Sequence, residues 1–184
     1  MRTFLSGKRN IALLSAFCFF LSVIEYMIPK PLPYMRIGLA NLPVMLAIDI
    51  LPFPAFFILV CIKILGQAII TGTLFSYIFV FSLTGTLSSA LLMYGLRRIL
   101  GRDRVTFIGI STAGAMIFNL SQLTLAYLLI FRENVRYIAP AFFTAGLVTG
   151  IILGVICEIF TMRSRYYYEQ LMERVYEKRE NIRR

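Results

Sequence analysis

Six blocks of apolar residues divide this chain, and they restrict its fold more than any other feature of the sequence. An apolar helix of about 20 residues is long enough to cross the hydrocarbon core of a bilayer, which is about 30 Å thick. The apolar residues follow one another in blocks rather than at the alternating spacing of a half-buried strand or helix. The blocks cover residues 10–28, 37–51, 53–72, 74–96, 105–131 and 137–162.

Helix-breaking residues separate the blocks. They are Pro29, Pro31 and Pro33 in the first loop and Gly101 in the fourth, and Pro52 and Pro54 bracket Phe53 in a tight second turn. The second block is short and is interrupted by Pro43. We therefore predict an all-α integral membrane protein with six transmembrane helices, which form one domain over residues 1–162 and are followed by a tail over residues 163–184.

The composition agrees with a core that lies within a bilayer. Hydrophobic residues make up 59% of the 184 residues and charged residues only 15%, whereas a soluble domain carries about 25% charged residues. The basic segment 1–10 precedes an apolar run that is long for a signal peptide and has no small-residue cleavage site. We expect this run to be retained as the first span.

The basic residues predict the orientation of the spans, because cytoplasmic loops carry an excess of Lys and Arg. With a cytoplasmic N-terminus and six spans, fourteen of the nineteen Lys and Arg residues lie inside and four lie outside. The outside set is Lys30, Arg36, Arg132 and Arg136. Both termini should therefore be cytoplasmic, and the net charge of +10 is mainly a topology signal rather than a nucleic-acid footprint.

The tail has the pattern of an amphipathic helix. Tyr168, Leu171, Met172, Val175 and Ile182 recur at helical spacing among Arg, Lys and Glu residues. We predict that it extends the sixth span at the inner surface. Its pattern suits a topogenic basic tail without a partner and a docking segment equally well.

Polar side chains inside the predicted spans are the candidate functional residues, because such groups are costly in a bilayer. They occupy four spans at a shared depth, from the middle to the outer end, which predicts a polar cavity open to the outside. The candidate substrate-binding residues are Glu25, Arg36, Asn41, Lys63, Gln67, Asn119 and Gln122.

Lys63 is the most costly of these residues. A charge at the centre of a span costs about 2.5–3.5 kcal/mol on insertion scales, so Lys63 needs an anionic ligand or a carboxylate nearby. Glu25 is the best-placed internal partner. In a purely structural interpretation these two residues pair and the amides join helices. Asp49 and Glu158 lie near inner span ends, where a structural role is expected.

Two patterns of small residues predict close helix packing. Gly146, Gly150 and Gly154 form a GxxxGxxxG ridge, which we assign to packing within the monomer. Ala12 and Ala16 form an AxxxA pattern in the cytoplasmic half of the first span. By itself the AxxxA pattern is weak, because alanine is common in spans.

The sequence offers little for catalysis or metal binding. It contains no histidine, the commonest general base and metal ligand. Its three cysteines lie inside apolar blocks without zinc spacing. We expect no catalytic residue, no metal site and no cofactor.

The stretch Met35-Arg-Ile-Gly-Leu-Ala-Asn-Leu-Pro43, with the proline-rich loop before it, resembles the entry to the second span in the Gx transporter family, also labelled heptaprenyl diphosphate synthase component I. The resemblance continues through 63–66, 71–75, 82–85 and 114–122, and so covers most of residues 10–160. Lys63, Phe118 and Ser121 depart from the family, whose members usually have Arg, His and Gly there.

The family is similar to the substrate-binding S-components of energy-coupling factor (ECF) transporters. This resemblance implies a six-span bundle in a bacterial plasma membrane with a vitamin-sized ligand in an outward-facing pocket. It implies docking through small residues of the first span, here Ala12 and Ala16, on a transmembrane subunit that two ATPases drive. For the ligand we expect an amphipathic or aromatic molecule with an anionic or strongly polar group, enclosed by Tyr26, Tyr34, Phe75 and Tyr77.

Two other functional classes compete with this one. A catalytic prenyl diphosphate synthase needs paired Asp-rich motifs for Mg²⁺, but this chain has only Asp49 and Asp103, and it has no Walker A loop. We therefore expect no enzyme, although a non-catalytic membrane partner of such a synthase remains an alternative. A self-sufficient channel or carrier is disfavoured, because the chain shows neither a charged ring nor a clear inverted repeat.

Overall fold

A computed structural model of the chain describes residues 2–28, 38–102, 104–131, 135–172 and 175, and the side chains within these ranges other than those of residues 2–8, 130 and 131. Within these ranges, six α-helices precede Ser164: α1 (Arg2–Met27), α2 (Leu42–Ile50), α3 (Phe53–Ile70), α4 (Tyr77–Leu100), α5 (Phe107–Ala126) and α6 (Val135–Arg163). A 3-10 turn over Leu39–Asn41 leads into α2, and a π-helical turn over Tyr127–Phe131 follows α5.

Five of the helices are long and apolar enough to cross a membrane, which makes this a multi-pass membrane protein. The exception is α2, which with its 3-10 turn forms the shorter apolar segment Leu39–Ile50. Nine helical residues extend only about 14 Å, roughly half of a bilayer core. The all-helical prediction is therefore confirmed, whereas the count of six spans and the cytoplasmic termini remain predictions.

Prolines begin two of these helices. Pro43 lies in the first turn of α2 and Pro54 in the first turn of α3, where a missing N–H costs nothing. The interruption that Pro43 introduces in the second apolar block is therefore the point at which α2 starts. The two following helices have hydroxyl N-caps, because Ser76 accepts a hydrogen bond from the Ile78 N–H and Thr106 accepts one from the Gly109 N–H.

The glycine ridge of α6 packs against α5 within the monomer. A Cβ at Gly150 would lie 2.9 Å from Thr112 Cα, and a Cβ at Gly154 would overlap the backbone of Ile108. Such close approach is what small residues permit between membrane helices. α5 also packs closely against α4, because Gly114 leaves room for Met93. Helices α4, α5 and α6 thus form one tightly packed side of the bundle.

The end of the bundle that contains Asp49 is called the inner end here, after the predicted orientation, and the end that contains Glu25 is the outer end. At the inner end the helical assignment is interrupted at Ser164 after α6, and residues 165–172 form a further short helix, the tail helix. Ser164 is its N-cap, because the Ser164 Oγ accepts a hydrogen bond from the Tyr167 N–H, with an N–Oγ distance of 3.3 Å. Tyr167 is only 2% exposed and Gln170 only 8%, whereas Tyr168 on the opposite face is 62% exposed. The tail helix therefore has a buried and an exposed face, but Tyr167 and Gln170 form the buried face, whereas Tyr168 of the predicted apolar face is exposed. The expected unbroken extension of the sixth span is interrupted at Ser164.

A buried ion pair lies beneath the tail helix. Arg97 of α4 binds both carboxylate oxygens of Asp49 on α2, with Nε–Oδ1 and Nη2–Oδ2 distances of 2.9 and 2.7 Å. The Tyr167 hydroxyl donates to Asp49 Oδ2 at 2.6 Å. Burial, with the nearby Asp49 charge, raises the pKa of Tyr167 above its ordinary value, so the phenol stays protonated and acts as the donor.

The same arginine also holds the loop between α4 and α5. Its Nη1 donates to the backbone carbonyl of Val105, and its guanidinium lies 4.6 Å from the centre of the Phe107 ring. Asp49 therefore has the structural role that the sequence predicts. Its partners were not predicted, because they come from segments 48 and 118 residues away.

Candidate functional site

A partly open cavity lies between α1, the turn before α2, and helices α2 to α6. Its lining includes six of the seven predicted binding residues: Glu25, Asn41, Lys63, Gln67, Asn119 and Gln122. The seventh, Arg36, lies outside the described residues. The space open to the centre of a water molecule is about 50 Å³, which holds a few waters at roughly 10–15 Å³ each. A larger ligand requires the cavity to widen.

Glu25 supports the turn that leads into α2. Its carboxylate is 1% exposed and accepts hydrogen bonds from the backbone N–H groups of Gly38, at 3.0 Å, and Ala40, at 3.5 Å. Gly38 has φ of +86°, a left-handed conformation that suits glycine. This carboxylate therefore satisfies the free N–H groups at the start of the helical segment, where a negative charge is also favoured by the helix dipole.

Lys63 and Asn41 meet across the cavity. The ammonium group of Lys63, which is 3% exposed, donates a hydrogen bond to Asn41 Oδ1. Lys63 is on α3, and Asn41 ends the 3-10 turn that Glu25 supports. The positive charge, the carboxylate and the amide thus belong to one side of the cavity, built from α1, α3 and the entry to α2.

Asn119 works as a link between helices. Its Nδ2 donates to the backbone carbonyl of Phe142 on α6 at 2.6 Å. Gly146 makes this contact possible, because a Cβ at that position would overlap the Asn119 amide. Asn119 therefore fits the purely structural interpretation, in which the intramembrane amides join helices, because its Nδ2 joins α5 to α6 at the cavity wall.

Neutral hydroxyl groups line the deeper part of the cavity and were missed in the sequence. They are Thr86, Ser89, Ser111 and Thr149. Thr86 and Ser89 have the i, i+3 spacing of one helix face, which is the signal that could have found them. Met93, Ser111 and Leu153 also line the cavity, so it extends into the inner half of α4, α5 and α6, deeper than predicted.

The aromatic wall predicted for the cavity was wrong for three of its four residues. Tyr26, Phe75 and Tyr77 are 61%, 100% and 56% exposed, and none of them lines the cavity. The fourth, Tyr34, lies outside the described residues. Phe118 and Phe142 supply the aromatic surface instead. Residues at span ends are as easily turned to the outside as to the centre, and their sequence position does not decide which.

The small-residue face of α1 is exposed. Ala12 and Ala16 lie on the outside of the bundle, beside Leu13 at 51% and Phe20 at 61% exposure. None of the described helices covers this face, so it is available to lipid or to another protein.

The chemistry of the site is that of polar recognition. It offers one ammonium group, one carboxylate, several amides and hydroxyls, and apolar surface from Met45, Met93 and Phe118. Within the ranges that the structure describes, no group of three or more Cys, Asp or Glu side chains is placed to hold a metal ion.

Comparison with known proteins identifies one family. The family model described as heptaprenyl diphosphate synthase component I matches residues 14–160. No curated protein and no solved structure shows significant similarity to the chain. The matched range contains α2 to α5, almost all of α6 and every described residue that lines the cavity. Because the match covers well over half of the sequence, this chain belongs to the heptaprenyl diphosphate synthase component I family.

Proposed function

We propose that this protein is the substrate-binding membrane subunit of an ECF-type transporter in a bacterial plasma membrane. The observation that carries the proposal is the cavity that gathers polar side chains from α1, α3 and α5 and from the turn before α2. Bringing a buried ammonium group and a buried carboxylate into one intramembrane cavity is costly. That cost favours a binding site over simple helix packing.

The ligand that suits this cavity is a small amphipathic or aromatic molecule with an anionic or strongly polar group. Lys63 supplies the positive charge for that group, and Gln67 and Gln122 supply both donors and acceptors. Phe118 and the methionines offer apolar contact surface to a ring or a short chain. Flavins, quinone precursors and prenyl phosphates have this combination of groups.

The protein acts by binding rather than by catalysis in this proposal. A transporter of the ECF type needs a transmembrane partner and a pair of ATPases, and this chain has no phosphate-binding loop of its own. The exposed face of Ala12 and Ala16 is the proposed contact with that partner. Small residues there would allow two helix backbones to approach closely.

Affinity purification of the tagged protein from native membranes tests the partner. We expect a large transmembrane subunit and two ATPases to co-purify. Ala12→Leu and Ala16→Leu should reduce their recovery, because added bulk separates the helices, whereas Val148→Leu, on the exposed face of α6, should not. Equal recovery in all three variants would contradict the docking role of α1.

A thermal-shift panel tests the ligand site. The purified protein is heated with a flavin, a naphthoquinone carboxylate and a prenyl phosphate in turn. One class should raise the melting temperature, and Lys63→Ala should abolish that shift while the protein remains folded. Glu25→Gln should lower the melting temperature without any ligand, because it weakens the support of the turn at Gly38. A normal ligand-induced shift in a folded Lys63→Ala protein would contradict the proposed site.

The second candidate function is that of a non-catalytic membrane subunit of heptaprenyl diphosphate synthase. The description of the family favours it. The same purification distinguishes the two functions, because this candidate predicts recovery of a soluble prenyl synthase subunit in place of the ATPases.

A further inference from the structure

Two hydrogen-bonded networks at opposite ends of the molecule share the short helix α2. At the outer end, Asn41 immediately precedes α2 and accepts from Lys63, while the turn it belongs to is held by Glu25. At the inner end, Asp49 on the last turn of α2 binds Arg97 and Tyr167. The two contacts on the segment are eight residues apart, about 12 Å along a helix.

The segment between these contacts is almost wholly buried. The buried residues of α2 are Pro43, Val44, Met45, Leu46, Ala47, Ile48 and Ile50. Protein interiors are packed like organic crystals, so a buried helix cannot absorb a displacement of one end by local compression. A shift at Asn41 must therefore be carried to Asp49.

The tail helix is held at the inner end through Tyr166, Tyr167 and Gln170, and the Tyr167 ring also packs against Phe107. Tyr167 donates to Asp49, Tyr166 donates to Asn10 Oδ1 at 3.1 Å, and Gln170 accepts from Asn10. Its other face is open, with Arg165 and Tyr168 exposed. Peripheral elements with one buried and one solvent-exposed face open locally at a lower free energy than the core.

We infer that α2 couples the cavity to the tail helix, so that a change at the Glu25–Asn41–Lys63 end alters the docking of the tail at Asp49. This coupling goes beyond the proposed function, since it holds whichever molecule occupies the cavity. It gives the inner surface two arrangements, with the tail helix docked and undocked, which a cytoplasmic partner can distinguish. Energetic coupling between two sites is reciprocal, so undocking the tail must also loosen the cavity end.

Cysteine labelling tests the coupling without a ligand. Gln170→Cys places a thiol on the buried face of the tail helix, and its rate of reaction with a membrane-impermeant maleimide in inside-out vesicles measures undocking. Glu25→Gln or Asn41→Ala should raise that rate about fivefold, the factor expected for loss of one hydrogen bond. Thr71→Ala, also at the outer end but on neither α2 nor its supporting turn, should leave the rate unchanged.

Two internal controls separate coupling from general unfolding. Tyr168→Cys, already exposed, should label at the same rate in every background. Cys157 is fully buried, and its labelling by a permeant maleimide should stay low unless the bundle opens. If Glu25→Gln increases the labelling of Cys157, the bundle itself has opened in that variant, and the test then rests on the milder Asn41→Ala variant. If Asn41→Ala leaves the labelling rate of the Gln170→Cys thiol unchanged while Asp49→Asn raises it, the inference is overturned.

The reciprocal experiment starts from the tail. Ser89→Cys is nearly isosteric and places a thiol in the cavity lining. Tyr167→Phe removes only the hydroxyl that binds Asp49, and it should raise the labelling of this cavity thiol by a maleimide added to the outer side by about the same factor. A tail mutation that frees the thiol of Gln170→Cys but leaves the labelling of Ser89→Cys unchanged would show that the two ends are independent and would also overturn the inference.

Discussion

At the scale of single residues, the glycines and the buried charges decide how this bundle can pack. Gly150 and Gly154 bring the α6 backbone against that of α5, and Gly146 lets the Asn119 amide reach a backbone carbonyl. Glu25 serves the backbone at Gly38 and Ala40. The polar residues that the sequence picks out thus divide into groups that hold the walls of the cavity and groups that face into it.

Gly154→Ala should destabilise the protein, because the added Cβ would overlap the Ile108 backbone, which cannot move as a flexible side chain can. Overpacking of this kind costs about 1–3 kcal/mol. Gly95→Ala is the matched control: that helical glycine has nothing within 4 Å of a Cβ, so the change should be neutral or slightly stabilising. Thermal unfolding in one detergent compares the two, and equal melting temperatures would contradict the close packing of α5 and α6.

At the scale of elements, α2 and the tail helix show what the sequence could and could not predict. Helix positions were predictable because apolar blocks and prolines mark them, but the spacing of apolar residues in the tail did not identify its buried face, which carries Tyr167 and Gln170. The Asp49–Arg97–Tyr167 network could not be predicted, because each residue looks interfacial by itself and their contact depends on tertiary packing. The cavity was predictable from polar residues within spans, but its hydroxyl lining resembles ordinary helix packing.

Mutations of the two residues in the ion pair between α2 and α4 should have strongly non-additive effects on the free energy of unfolding. Removing one partner of a buried pair costs about 3–5 kcal/mol, because it leaves the other charge unpaired. Arg97→Met alone should therefore destabilise the protein more than Arg97→Met combined with Asp49→Asn. Arg98→Met, one residue further on an exposed face, should change stability little. A double-mutant cycle by denaturant or thermal unfolding measures the coupling, and additive effects would show that the pair contributes nothing.

At the scale of the whole molecule, the orientation of the helices in the membrane determines which side the cavity and the loops face. Five helices are long enough to span it, and α2 is a short, buried helix surrounded by them. The predicted orientation places the α3–α4 turn outside and the α4–α5 loop inside. The exposed Arg98, Arg102, Arg104 and Arg163 would then all lie at the cytoplasmic surface, as the distribution of basic residues requires.

Labelling in intact cells measures that orientation. Phe75→Cys, fully exposed in the turn between α3 and α4, should react with an impermeant maleimide added outside. Arg104→Cys and Tyr168→Cys should react only after the membrane is opened, because both lie on the inner side in this topology. Labelling of Arg104→Cys in intact cells would reverse the assignment.

The glycine contacts between α5 and α6 have a mechanical consequence for any guest larger than a few waters. Where two backbones already touch, as at Gly150 and Thr112, that wall has no slack to yield. Room for a guest must therefore come from the opposite wall, where Lys63 and Asn41 meet through flexible side chains rather than through backbone. The wall formed by α5 and α6 thus stays fixed when a guest enters. The opposite wall moves, and it carries the charged side chains that would bind the guest.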